Sequence, residues 1–337
     1  MIIVLKPDAT QAEIDQVIER IESAGLKPHV SKGVERTVIG AIGEEAKIRE
    51  IPLEVLPGVD KVLPIMKPYK LVSREFRREN TVVDVKGVTL GGSRIAVIAG
   101  PCAVEGRDML LETARAVKGA GASFLRGGAF KPRTSPYSFQ GLEEEGLRYL
   151  AEAREATGLP VITEIMDPRD AELLDRYADI IQVGARNMQN FRLLKEVGNL
   201  NKPVMIKRGL AASVKDLLLS AEYVVANGNS NVILCERGIR TFETYTRNMI
   251  DIASVPAMKE LSHLPVVVDP SHAAGRWDLI HPISLAALAS GADGLMIEVH
   301  PHPEDALCDG PQSLMPGRFA ELMDSIRKMA IFLGRES

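Results

Sequence analysis

The stretch Phe124–Gly141, FLRGGAFKPRTSPYSFQG, opens on an apolar pair and passes at once into charge and bare backbone. Arg126, Lys131 and Arg133 fall within eight residues, around the pair Gly127-Gly128. The apolar pair, taken with Ser123, reads as a short buried strand. The residues beyond it read as a loop prepared for an anion, because Arg offers phosphate and carboxylate a planar fork and Lys a point charge. This unit, a short strand that stops in chemically useful residues, recurs along the chain and decides the fold.

Working outward, further strands are expected at Ile95–Ala99, Pro160–Thr163, Ile180–Val183, Pro203–Ile206, Val232–Leu234, Pro265–Val268 and Gly294–Ile297. Amphipathic helical patterns separate them. Eight such strands alternating with helices over roughly 240 residues predict an α/β chain closed into a (β/α)8 TIM barrel. Near-continuous Val/Ile/Leu runs suit parallel strands buried on both faces. A doubly wound open sheet is the alternative, but no Gly-x-Gly-x-x-Gly turn follows the first strand. Ahead of the repeats, Thr81–Val85 and Val88–Leu90 flank Lys86-Gly87 as a hairpin.

The N-terminal part has a different rhythm. Ile2–Leu5 is a strand, Thr10 caps a helix carrying Ile14, Val17, Ile18 and Ile21, and Gly25 ends it. Leu26–Ser31 and Arg36–Ile42 read as strands joined at Lys32-Gly33, followed by a weaker helix over Glu45–Glu50 and a strand at Val59–Ile65. The order βαββαβ predicts a small ferredoxin-like domain over residues 1–66. Polar residues 67–80 read as a linker, and 81–337 as the barrel.

Composition narrows the function. With 45% hydrophobic and 26% charged residues and a net charge of −4, the chain fits neither bulk nucleic-acid binding nor a membrane surface. No apolar run approaches the roughly 18 residues of a span. Cys102, Cys235 and Cys308 are too few for a disulfide framework and read as reduced thiols of a cytoplasmic protein.

In a barrel of this kind the carboxyl ends of the strands build the site. Two kinds of chemistry meet there. Arg126, Lys131, Arg133, Arg186, Lys207, Arg208 and Arg237 concentrate positive charge in a slightly acidic protein, which costs repulsion unless an anion neutralises it. The alternative is that some of these cations pair with Glu164, Glu236 or Glu298 in structural salt bridges, Arg208 above all, since adjacent Lys207 and Arg208 point opposite ways on a strand. The second kind is metal-like. Cys102, His272, Glu298 and Asp309 come from the first, seventh and eighth strands and the loop beyond, which are neighbours in a closed barrel. A thiolate, an imidazole and two carboxylates suit Mn2+, Fe2+, Co2+ or Zn2+ better than Mg2+. His300 and His302 compete with His272 for that role, and Cys235 reads as a small core residue. Two anions beside a Lewis acid point to carbon–carbon bond chemistry on small phosphorylated substrates.

These strand ends resemble a known family. GPCAVE (Gly100–Glu105), LRGGAFKPRTSPYSFQG (Leu125–Gly141), QVGARNMQNF (Gln182–Phe191), KRG (Lys207–Gly209), LCERGIRTFE (Leu234–Glu243), VDPSHAAGR (Val268–Arg276) and LCDGPQSL (Leu307–Leu314) are similar to 3-deoxy-D-arabino-heptulosonate 7-phosphate (DAHP) synthases. The likeness runs through the chain and includes the small N-terminal domain of one subgroup. It implies condensation of phosphoenolpyruvate with erythrose 4-phosphate, the entry to aromatic amino acids. It implies a divalent metal on Cys102, His272, Glu298 and Asp309, working as a Lewis acid on the aldehyde. Phosphoenolpyruvate falls to Arg126, Lys131, Ala185, Arg186, Lys207 and Arg237, and erythrose 4-phosphate to Lys131, Pro132, Arg133, Thr134 and Ser135. Lys131, at the junction, becomes the candidate for a proton-transfer or oxyanion role.

The resemblance also implies a homotetramer inhibited by tyrosine or phenylalanine; His29 and Ser31, at a strand end near Lys32-Gly33, are candidate effector contacts, the alternative being a simple solvated strand end. Three rivals stand beside it: the sister enzyme that makes 3-deoxy-D-manno-octulosonate 8-phosphate, a Schiff-base aldolase using Lys207, and a non-catalytic sugar-phosphate sensor. Pro132-Arg133-Thr134 argues against the first.

Overall fold

A computed structural model describes residues 1–33, 36–43, 52–63, 68–133 and 135–336. It divides into two compact units, Met1–Pro68 and Tyr69–Ser337.

In the first unit, β1 (Ile2–Leu5), β2 (Lys27–Lys32), β3 (Thr37–Ile42) and β4 (Val59–Leu63) form an antiparallel sheet in the order β2-β3-β1-β4. Helix α1 (Gln11–Ser23) begins at a capping box in which Thr10 and Glu13 satisfy each other's backbone amides. Its buried stripe Ile14, Val17 and Ile21 joins Ile3, Leu5 and Ile39 in one small core. The sheet order is that of the ferredoxin-like arrangement. The second helix expected at Glu45–Glu50 lies outside the described residues. His29 and Ser31 both project from edge strand β2 as exposed residues.

The second unit is a closed parallel barrel. Its strands, in chain order, are β7 (Ala96–Gly100), β8 (Phe124–Arg126), β9 (Val161–Ile165), β10 (Ile180–Val183), β11 (Val204–Lys207), β12 (Val232–Glu236), β13 (Val266–Val268) and β14 (Gly294–Glu298), with β14 pairing back to β7. Every residue of these strands is buried, as parallel strands covered on both faces must be. Residues facing outward pack under the helices in one continuous core. Those facing inward, among them Ile98, Phe124, Ile162, Met205, Cys235 and Met296, fill the barrel. Cys235 is a core residue there, and burial pushes its thiol up to about 12.

The hairpin β5 (Val83–Val85) and β6 (Val88–Leu90) turns at Lys86 and Gly87, both with positive φ, 54° and 83°. That is the two-residue turn which matches strand twist. Val83, Val85 and Leu90 join the inner barrel cluster, so the hairpin stoppers the barrel interior.

The expected linker over 67–80 needs correction, because from Tyr69 onward it belongs to the barrel unit. Tyr69 and Val72 are buried in the barrel core. The Glu222 carboxylate accepts the amides of Lys70, Leu71 and Val72 at 2.9, 3.0 and 3.0 Å. Removing this carboxylate leaves three amides without their acceptor. Glu222→Ala is therefore expected to lower stability by about 1–3 kcal/mol, read as a shifted urea midpoint at unchanged m.

Candidate active site

The carboxyl ends of the barrel strands surround a cavity of about 280 Å³. Strand β8 ends in Arg126 and β11 in Lys207, which both line the cavity, and β14 ends in Glu298. Arg126, Lys131, Pro132, Arg133, Ser135, Ala185, Arg186, Lys207 and Arg237 all line the cavity, as do His272 and Asp309. Thr134 lies outside the described residues. Arg208 does not line the cavity; it pairs with Glu236 and Asp251, each at 2.8 Å.

Cys102, His272, Glu298 and Asp309 converge. One ligand atom from each lies within 4.8 Å of the others. Cys102 Sγ donates to Asp309 Oδ2 at 3.3 Å, while His272 Nε2 lies 3.2 Å from Glu298 Oε1 and 3.8 Å from Asp309 Oδ2. His300 and His302 are not part of this cluster.

The donor chemistry fits a divalent cation. Asp269, fully buried, receives His272 Nδ1 at 2.7 Å and its backbone amide at 2.9 Å. This hydrogen bond places the ring proton on Nδ1 and turns the Nε2 lone pair toward the carboxylates, the usual arrangement of a metal-binding histidine. Burial lowers the imidazole pKa despite Asp269 and Glu298, so the ring is held neutral. A lone pair facing carboxylate oxygens at these distances is repulsive unless a cation lies between them. Contact with the Cys308 thiol at 3.3 Å, burial and the Glu298 carboxylate push the Cys102 thiol well above its ordinary range. A metal ion would draw out that proton.

Neighbouring groups hold the carboxylates. Arg126 Nη1 reaches Glu298 Oε1 at 2.6 Å, and Gln312 Nε2 takes the other oxygen at 2.6 Å. Arg247 lies 3.0 Å from Asp309 Oδ1 and 2.8 Å from Gln312 Oε1. Burial would raise the Asp309 pKa, but Arg247 and His272 override it and hold the carboxyl at about 2. Lys207 Nζ meets Asp269 Oδ2 at 2.5 Å, so one buried carboxylate ties the cationic wall to the imidazole.

Lys131 folds back over the cluster, its Nζ 3.0 Å from Cys102 O and 3.1 Å from Cys102 Sγ. The Gly-Gly pair makes this possible, since a Cβ on Gly128 would stand 2.7 Å from Lys131 Cδ and 2.9 Å from Cys102 O. Burial would lower the Lys131 pKa, but Cys102, Cys308 and Glu164 outweigh it and hold the ammonium above its ordinary value. The Lys131 ammonium donates to both the carbonyl and the sulfur of Cys102.

Other cations are left without acids. Arg237 is 5% exposed, and its hydrogen bond to the Gly238 carbonyl is long, at 3.5 Å. Burial pulls its pKa below the ordinary arginine value, the mark of a desolvated charge short of a counter-ion. Among the described residues, no carboxylate forms an ion pair with Arg186, Arg237 or Arg240. Arg240, Arg247, Asp269 and Gln312 escaped the sequence reading. Asp269 carried a signal, standing three residues before His272 in DPSH. The other three meet the site only through long-range folding.

A closed barrel with under-neutralised cations beside a thiol–imidazole–carboxylate cluster defines an enzyme class built for small, multiply charged anions. The DAHP synthetase I family matches residues 79–333, and the DAHP synthase ferredoxin-like domain matches residues 1–67. The chain belongs to the DAHP synthase family. It is 54% identical over 334 residues to the phospho-2-dehydro-3-deoxyheptonate aldolase of Thermotoga maritima, covering 99% of each chain. The crystal structure of a Thermotoga maritima DAHP synthase superposes with a TM-score of 0.94 at 53% identity, over 99% of this chain and 98% of that one. A 2-dehydro-3-deoxyphosphooctonate aldolase of Syntrophobacter fumaroxidans is 34% identical over 261 residues, 72% of this chain and 90% of its own.

Proposed function

We propose that the chain condenses phosphoenolpyruvate with erythrose 4-phosphate and water, giving DAHP and inorganic phosphate. The observation that carries this reading is the buried Arg237, which among the described residues has no carboxylate partner, at the rim that also holds the four-ligand cluster. Arg126, Arg186, Lys207 and Arg237, with the Ala185 backbone, hold the carboxylate and phosphate of phosphoenolpyruvate. The loop Lys131-Pro132-Arg133-Thr134-Ser135 takes the sugar phosphate. A divalent ion of the Mn2+, Fe2+, Co2+ or Zn2+ type, held by Cys102, His272, Glu298 and Asp309, supplies Lewis acidity at the aldehyde oxygen.

The residues orient the enol so that its C3 faces the aldehyde carbon, and the new C–C bond forms there. Lys131 Nζ donates its proton to the resulting alkoxide. Water adds at C2, which has become electrophilic, and the hemiketal phosphate expels phosphate by C–O cleavage into the same cationic wall.

Phosphate release on mixing the two substrates tests this directly. Release is expected with erythrose 4-phosphate, and it should disappear after exhaustive chelation and return with added Mn2+. Arabinose 5-phosphate as the better aldose would favour the octulosonate reading suggested by the 34% identical relative. Borohydride trapping of substrate on Lys207 would favour a Schiff-base aldolase, and binding without phosphate release a sensor.

The N-terminal unit is proposed to bind tyrosine or phenylalanine through His29 and Ser31, and removal of residues 1–66 should abolish that inhibition. A homotetramer in the cytoplasm is part of the same proposal. The free thiols of Cys102, Cys235 and Cys308 suit a reducing compartment. Among the described residues, no helix is long and apolar enough to cross a membrane.

A further inference from the structure

Two polar side chains close in sequence to ligands of the cluster, the buried His300 and the partly buried Glu105, have no part in the chemistry above. Glu105 follows Cys102 by three residues, and His300 follows Glu298 by two. Their side chains are only 10% and 5% exposed. Glu105 Oε1 accepts the Leu307 amide at 2.9 Å, across 202 residues of chain. Its other oxygen, Oε2, lies 3.4 Å from His300 Nε2. His300 Nδ1 accepts the His302 amide at 3.1 Å, which assigns the ring proton to Nε2, facing Glu105. Among the described residues, His300 Nε2 is the buried side-chain nitrogen or oxygen left without a hydrogen bond. Buried polar groups are ordinarily paired, and a movement of about 0.5 Å would bring this pair to normal length.

The loop that Glu105 grips is one that needs gripping. Leu307 immediately precedes Cys308 and Asp309. Asp309 sits in the left-handed region at φ 55°, without being glycine. Such a conformation persists only where its surroundings over-determine it. The loop is also folded tightly on itself, since a Cβ on Gly310 would come within 2.2 Å of the Pro303 carbonyl. One ligand, Cys102, precedes Glu105 on the β7 loop; another, Asp309, follows Leu307 on the β14 loop. A single carboxylate therefore spans the two loops at a point near both ligands.

We propose that Glu105 is a positioning residue of the metal centre, tying the Cys102 loop to the Asp309 loop through the Leu307 amide and the His300 ring. The inference rests on the metal reading of Cys102, His272, Glu298 and Asp309. It predicts that loss of Glu105 spreads the ligand set and weakens metal binding without disturbing the cationic wall.

The test titrates the metal-free full chain with Co2+, following the thiolate charge-transfer absorption that only a Cys-bound ion produces. Glu105→Ala is expected to weaken Co2+ binding by about 10- to 100-fold, the usual effect of losing an outer partner of a ligand set. Phosphoenolpyruvate affinity of the metal-free variant should stay within about twofold of wild type, because that wall is held by other groups. Wild-type Co2+ affinity in the variant would overturn the proposal. So would a parallel loss of phosphoenolpyruvate affinity, which would make Glu105 a general structural prop. If wild type itself gives no charge-transfer band, the metal reading fails first, and this inference with it. Should Glu105→Ala not fold, Glu105→Gln carries the test. Its single amide oxygen can serve Leu307 or His300 but not both, so binding about three- to tenfold weaker is expected. Unchanged binding in that variant would overturn the proposal.

Discussion

Lys131→Met is expected to lower kcat by about a thousandfold, the middle of the range for loss of a positioned proton donor. KM for phosphoenolpyruvate should rise only about tenfold, the cost of one charge-assisted contact. Two observations support this split. Lys131 Nζ lies 3.1 Å from Cys102 Sγ, one of the four groups that would hold the metal. Its ammonium is also held above the ordinary lysine range, so a proton is available whenever an alkoxide forms. Methionine keeps the length and apolar stem while removing the charge. Steady-state kinetics with both substrates decides the matter: a variant that keeps kcat within tenfold and loses only KM would remove Lys131 from the chemistry.

The second large effect is expected at Asp269. This fully buried carboxylate accepts from Lys207 Nζ, His272 Nδ1 and the His272 amide at once. Asp269→Ala strands a buried ammonium and frees the imidazole to rotate. Stability should fall by about 3–5 kcal/mol, as when one partner of a buried ion pair is removed. Asp269→Asn is the more informative change, since it keeps the shape and one acceptor. Its amide must turn an NH2 either toward the His272 backbone amide or toward Lys207 and the imidazole together, all of them already donors, so activity should fall by about 10- to 100-fold. Denaturant unfolding of the first variant and kinetics of the second check the pair. If Asp269→Asn were fully active, the orientation of His272 would not depend on this carboxylate.

How much of this was legible beforehand depended on how local the signal was. The barrel strands lie within one or two residues of the apolar runs that predicted them, because a strand buried on both faces must be apolar throughout. The expected strands ended early where charge began. Arg126, Lys207, Glu236 and Glu298 are the last residues of their strands, apolar patterning being blind to a charged residue that still pairs in the sheet. Cys102, His272, Glu298 and Asp309 were legible as residue types at strand ends, and their meeting followed from barrel closure. The partners that hold them were not. Arg247, Gln312 and Glu105 act across loops far apart in sequence, and such contacts leave no spacing to read. The supposed linker misled for a related reason: the polar stretch 67–80 conceals Tyr69 and Val72 as anchors, and the amides of Lys70, Leu71 and Val72 are satisfied by a carboxylate about 150 positions away.

The hairpin that stoppers the barrel makes it a cup and not a tunnel. Among the described residues, the cavity that the buried Arg126, Lys207 and Arg237 line is lined as well by Pro132, Arg133 and the exposed Arg240. An anion held at the exposed Arg240 would cover one held at the buried Arg237, so two anions are expected to leave in the reverse of the order in which they entered.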